Sequence, residues 1–106
     1  MAKHDSLDTE DKVRLLRALA HHVHRKRALD EVLTEQVEQE LRGSRRRLYR
    51  AAAEALAEGA VLTALRALEL VGEEAGLMLD LIIESGDHRQ LSTALNRLAD
   101  FVESAA

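Results

Sequence analysis

The sequence predicts an all-α protein, a compact bundle of about six short antiparallel helices, and three observations carry that prediction. First, the composition is that of a helix former. There is no Pro, Gly occurs at only five positions (43, 59, 72, 76 and 86), and the apolar 46 % is mostly Leu, Ala and Val, with Tyr49 and Phe101 the only aromatics. Ala, Leu, Glu and Arg have the lowest helix cost of the common residues. Second, apolar residues recur at spacings of three and four along most of the chain, the period of a helix with one buried face. Third, 106 residues make one domain with room for one core, and the breaks between periodic stretches are too short for anything but helical hairpins.

Residues 1–7 are expected to be a frayed N-terminus and residues 8–106 a single domain. Asp8 or Thr9 caps a first helix running to about Arg25, with Glu10 and Asp11 in its first turn and Val13, Leu16, Leu19, Ala20 and Val23 as its stripe. The run His24–Arg27 puts cations at the C-terminal end, where the helix dipole favours them. A second helix, about Leu29 to Arg42, carries Leu29, Val32, Leu33, Val37 and Leu41 on one face and Glu31, Glu35, Glu38 and Glu40 elsewhere. Gly43 ends it, and Ser44 is expected to cap a third helix with Leu48, Tyr49, Ala52, Ala55 and Leu56 inward, terminated by Gly59. A short fourth helix, about Val61 to Leu68, turns Leu62 and Leu65 inward. Of the two glycines that follow, Gly72 is read as the break.

The stretch Leu77–Phe101 is expected to be the hub. Leu77, Met78, Leu79, Leu81, Ile82 and Ile83 make a helix that is apolar nearly all round, broken only by Asp80, and such a helix is a buried one. Ser85-Gly86-Asp87 then forms a corner, with Gly86 suited to a left-handed position and Asp87 to an N-cap. The last helix folds back with Leu91, Leu95, Leu98 and Val102 as its stripe.

Charge narrows the function classes. The net charge is −4, unevenly spread: from residue 71 onward Arg89 and Arg97 face seven acids, while Arg45, Arg46, Arg47, Arg50 and Arg66 dominate residues 44–70. A basic shoulder and an acidic end suit docking to a partner better than coating nucleic acid, which calls for a larger basic footprint than a pI of 5.7 provides. Without Cys there is no disulfide or thiol chemistry. The polar start MAKHDSLDTEDK is not a signal peptide, and no run reaches the roughly 18–20 apolar residues that span a bilayer. The expectation is a cytoplasmic protein without membrane insertion.

Few residues are candidates for chemistry. His21 and His24, three apart on a helix, could face one metal, but no HExxH pattern or third ligand surrounds them, so they read as exposed histidines at a helix end and no metal site is expected. Asp80 either points outward at the bundle edge or pairs with Arg66 or Arg97. No Ser/His/Asp set, paired carboxylates or Gly-rich phosphate loop is present; neither catalysis nor a cofactor is expected. The segment GSRRRLYR is the main candidate site. It places Arg42, Arg46 and Arg50 on one i, i+4 row with Arg45 and Arg47 beside it, at a helix start where cations oppose the dipole. The glutamates of the preceding helix are the expected neutralising partners; docking of an acidic protein, or binding of an anionic ligand or nucleic acid, are the alternatives.

Taken in order, these features resemble the cytoplasmic helical domain of the type II secretion F family, the inner-membrane assembly-platform proteins of type II secretion and type IV pilus machines. The residues that carry the likeness are LLRALAHHV at the start, then EGAVLTAL with Gly59, Leu62, Thr63, Ala64 and Leu65, and finally ESGDHRQLSTALNRLADFVE with Gly86, Asp87, Leu91, Leu95, Leu98 and Ala99. The likeness covers about Val13 to Glu103. Asp87 stands where that family has Glu, its second Gly is missing, the loop is about one residue shorter, and its usual prolines are absent. The resemblance implies a stand-alone, membrane-free copy of a six-helix docking domain in a bacterial protein. Its role would be that of a non-catalytic scaffold or adaptor, peripheral to the inner membrane through partners. Implied partners are machine components such as an assembly ATPase or an inner-membrane protein, and a second copy in a homodimer.

Overall fold

The computed structural model describes residues 7–105. Among them six α-helices follow one another: α1 (Thr9–His24), α2 (Leu29–Leu41), α3 (Arg46–Ala57), α4 (Val61–Ala67), α5 (Glu73–Ser85) and α6 (His88–Ala105). Asp8 caps α1 by accepting the Asp11 N–H at 2.9 Å. Three helices end in the same hydrogen-bonded turn, in which the residue past the cap takes a left-handed conformation. After α3 it is Gly59 (φ 78°), with Gly59 N–H donating to Leu56 C=O and Ala60 N–H to Ala55 C=O. After α1 and α4 the same place is held by Lys26 (φ 70°) and Glu69 (φ 60°), where a side chain adds steric cost. The cap expected of Ser44 is not made: α3 starts at Arg46, its N-cap residue is Arg45, and no side chain accepts there.

The centre of the bundle is α1, not the stretch beginning at Leu77. Leu16, Leu19 and Val23 are 0 % exposed, and Leu15 and Ala20 join them. The most extensive helix pairing is between α1 and α6, the two longest helices, with Leu91, Leu95 and Ala99 of α6 buried against it. Arg17 ties the outer edge of this pair, donating to Asn96 Oδ1 at 3.1 Å, Asp100 Oδ1 at 2.7 Å and Glu103 Oε1 at 3.3 Å. Val32, Leu33 and Val37 of α2, Tyr49 and Ala52 of α3, and Ala64 and Leu65 of α4 complete the core. Leu7, placed in the frayed segment by the sequence reading, is buried in this core; residues 1–6 lie outside the described residues.

The expected hub, α5, lies at the side of the bundle. It buries Gly76 and Leu79 and half-buries Ala75, Ile82 and Ile83, while Leu77, Met78 and Leu81 are 65 %, 67 % and 69 % exposed. The reason is geometric. This 13-residue helix meets α4 and α6 and does not reach α1, so only one of its sides is covered. The face it turns inward is the one with small residues: at Gly76 an added Cβ would come within 2.8 Å of the Arg66 guanidinium. Close approach of the backbone on that side leaves the bulky residues of the opposite side in solvent. No helix among the described residues is long and apolar enough to cross a membrane.

Candidate docking surface

Two corners set α5 beside α6. Gly72 provides its extended N-cap, and Gly86 (φ 75°) closes it in the left-handed conformation. At that second corner Ser85 Oγ donates to Ile82 C=O at 2.6 Å and accepts the Asp87 N–H, and Asp87 Oδ1 accepts the Gln90 N–H at 3.0 Å, which caps α6. The chain reverses there, so α5 runs back along α6 with its N-terminal turn near Phe101 and Val102 and its C-terminal turn near His88 and Leu91.

The two helices do not close on each other. A cleft of about 650 Å³ lies between them, with Met78 and Ile82 on one wall and Gln90, Ala94, Arg97 and Leu98 on the other. Ala75 and Leu98 carry it into a second hollow of about 490 Å³ that ends at Phe101, itself 69 % exposed. On a helical wheel Leu77, Met78 and Leu81 fall on the side of α5 opposite Gly76 and Leu79, with Glu74 and Ser85 in the same sector. The result is a continuous apolar band running from Leu81 through Met78 and the cleft to Phe101.

Acids border this band on α5, and on the α6 side Arg89 and Arg97 line the cleft together with Asp87, whose carboxylate caps α6. Glu73, Glu74, Asp80 and Glu84 belong to α5, and Arg89 and Arg97 to α6. None of the six forms an ion pair among the described residues. Asp80, which the sequence suggested could pair with Arg66 or Arg97, is partly buried and pairs with neither.

The arginine shoulder is placed differently from its expected form. Arg42 caps the end of α2 while Arg46 begins α3, so the i, i+4 row through Arg42, Arg46 and Arg50 is broken by a turn. Arg45 is neutralised, but by Asp11 of α1 and not by a glutamate of α2. The same carboxylate also takes Arg14 at 3.2 Å. The Arg45 hydrogen bond, ahead of burial and the other charges, holds the Asp11 carboxyl below its usual range. Beside this pair Tyr49 is buried, and burial pushes its phenol up to about 12. Arg45 is therefore a structural residue that locks α3 to α1. Arg42, Arg46, Arg47 and Arg50 are exposed and unpaired among the described residues.

The histidines do not converge. His21 and His24 are exposed, and His21 meets His22 edge-on with ring centroids 5.4 Å apart. Among the described residues no group of three or more His, Asp or Glu side chains stands within reach of one metal ion. His88 holds its Nδ1 buried without a hydrogen-bond partner at the start of α6.

No protein-family model, no curated protein and no solved structure matches the chain.

Sequence reasoning assigned the apolar residues of α5 to the core and so missed the band. A signal was available: Ala75, Gly76, Leu79 and Ile83 already supply a full inward face, which leaves Leu77, Met78 and Leu81 without a place in a core reached from one side.

Proposed function

We propose that this chain is a non-catalytic protein–protein interaction module that docks through the outer face of α5 and the α5–α6 cleft. One observation carries the reading: Leu77, Met78, Leu81 and Phe101 are all about two-thirds exposed, the first three on one side of α5 and Phe101 at the end of the hollow that continues the cleft beside it. Single exposed apolar residues are ordinary, but a contiguous band bordered by charge marks a surface that another macromolecule covers. Rim charges on both sides would orient the partner and speed encounter more than they add affinity. The narrower role of scaffold or adaptor beside a secretion or pilus platform, with an assembly ATPase or inner-membrane protein as partner, rests on the sequence resemblance alone.

The test is capture on the immobilised 106-residue chain, compared with a variant carrying Leu77→Asp, Met78→Asp and Leu81→Asp. Wild type should retain a defined protein, its own soluble copy included, and the variant should not. Equal retention by both, or none by either, would contradict the reading.

A second reading is favoured by a separate observation. Arg42, Arg46, Arg47 and Arg50 remain unpaired around the start of α3, where no acidic residue or side-chain cap offsets the helix dipole. This supports a small regulatory protein that binds an anionic ligand or nucleic acid there. Binding of labelled oligonucleotides or nucleotides should then weaken as salt rises and disappear with Arg46→Glu and Arg50→Glu. No binding at low salt would dispose of it.

A further inference from the structure

We infer that the occupant of the α5–α6 face is a second copy of this chain, seated across a two-fold axis that passes through the cleft. The inference rests on the docking reading and adds the partner to it. The band is bordered by acids on α5 and by Arg89 and Arg97 on α6, and none of these charges has an ion-pair partner among the described residues; the one acid lining the cleft on the α6 side, Asp87, is engaged in capping that helix. A partner of one charge sign would be attracted along one border and repelled along the other. A surface carrying both signs on opposite borders is complementary to itself once it is turned through a half-circle, which is the relation an isologous dimer requires.

The register can be worked out from the fold. Within one chain α5 and α6 run antiparallel across the cleft, with Ala75 and Leu98 towards one end and Ile82 and Gln90 towards the other. A two-fold axis through the middle of the cleft reverses the second copy, so α5 of one chain lies over α6 of the other with the two running parallel. Glu74 then comes to the end of the cleft that holds Arg89 of the second copy, and Glu84 to the end that holds its Arg97, within a turn of it and beside an Asp100 already held by Arg17. Met78 and Leu81 enter the cleft opposite, and their counterparts enter this one. Four ion pairs then surround an apolar centre that water leaves, the arrangement found in interfaces with a dry core and a charged rim. The competing arrangement sets the acids of α5 against the free arginines at the start of α3 of another copy. That contact is heterologous, and it propagates into open chains unless its rotation closes a ring.

Sedimentation and light scattering of the 106-residue chain between about 1 and 200 µM, a range that spans weak to moderate affinities, decide the matter. The expected mass rises from 11.8 kDa at dilution to twice that value and no further. Met78→Asp with Leu81→Asp should hold the chain at the single mass. Arg89→Glu with Arg97→Glu should weaken association at least tenfold, and adding Glu74→Arg and Glu84→Arg to that pair should restore it. All six side chains belong to the band or its borders, not to the core, so circular dichroism of the dilute variants should match wild type. Restoration by the reversed charges is a readout that misfolding would not produce. A wild-type chain of single mass at the highest concentration would overturn the inference, as would a dimer indifferent to Met78→Asp with Leu81→Asp. Masses growing beyond the dimer and abolished by Arg46→Glu with Arg50→Glu would overturn it in favour of head-to-tail chains. Capture of a different protein that depends on Met78, by a chain that stays single, would sink the second copy and leave the docking reading standing; absence of any Met78-dependent capture as well would sink both.

Discussion

Replacing Leu19 by Ala and, separately, Leu81 by Ala should separate the two helices that compete for the role of structural centre. Leu19 is 0 % exposed on α1, so its truncation removes buried surface and leaves a cavity among side chains that relax only in part. Such changes cost about 2–5 kcal/mol, against a total stability of about 5–15 kcal/mol for a domain of this size. Leu81 is 69 % exposed on α5, so less than a third of its surface is at stake. With full burial of a Leu worth about 1.5–3 kcal/mol, and Ala slightly the better helix former, the expected cost is below about 1 kcal/mol. Urea unfolding followed by far-UV circular dichroism at about 1 µM chain, where weak association is absent, measures both. Leu19→Ala should lower the midpoint strongly with the slope unchanged. Leu81→Ala should leave it nearly in place at this dilution and lower it only at high chain concentration, where a partner copy contributes. A dilute-solution loss for Leu81→Ala as large as that for Leu19→Ala would refute the placement of α5 at the side.

Other consequences can be checked independently. Arg45 keeps the Asp11 carboxyl below its ordinary value, so the pair stabilises the fold above the pKa of a free Asp and loses that contribution as pH falls through the depressed value. Asp11→Asn should cost about 1 kcal/mol at pH 7, an amount limited by the partial exposure of Arg45, and the difference from wild type should vanish in acid. Tyr49 is the only tyrosine, and with its phenol raised to about 12 the folded chain should show no tyrosinate absorbance at pH 10.5. Because the unfolded phenol ionises first, stability should fall between pH 10 and 12; ordinary titration near 10 without unfolding would show that Tyr49 is not buried. Lys26→Gly should raise stability by up to about 1 kcal/mol by relieving its left-handed conformation, and Gly59→Ala should lower it by a similar amount, both read by urea midpoint.

Much of the fold is legible because the signals are local. Asp8 before Glu10 and Asp11, the stripe from Leu16 to Val23, and the Ser85-Gly86-Asp87 corner each depend on residues within a few positions of one another, and the helices begin and end close to where these mark them. The positions of helices relative to one another depend on which faces meet, and the sequence of α5 is ambiguous on that point because both of its faces are apolar. The choice is made by the small residue at Gly76, where the backbone comes close to Arg66 of α4, and that does not show in hydropathy. The ion pair of Arg45 is non-local for the same reason. Its partner Asp11 is 34 positions away, while the glutamates of α2, the expected partners, are closer in sequence. The charges bordering the cleft were visible as an imbalance in the last third of the chain, but only folding α6 back along α5 puts Arg89 and Arg97 across the cleft from the acids of α5.

Oxidation of Met78 offers the most direct reading of whether the outer face of α5 is open in one chain and covered in an assembly. Met78 is 67 % exposed, and dilute peroxide converts an accessible thioether to the sulfoxide, which peptide mass spectrometry locates and counts. At about 1 µM chain Met78 should oxidise as fast as in an unfolded peptide, and at about 200 µM several-fold more slowly as a second copy covers it. Slow oxidation at both concentrations would place α5 inside the single chain, and fast oxidation at both would leave its apolar face without the partner copy inferred for it.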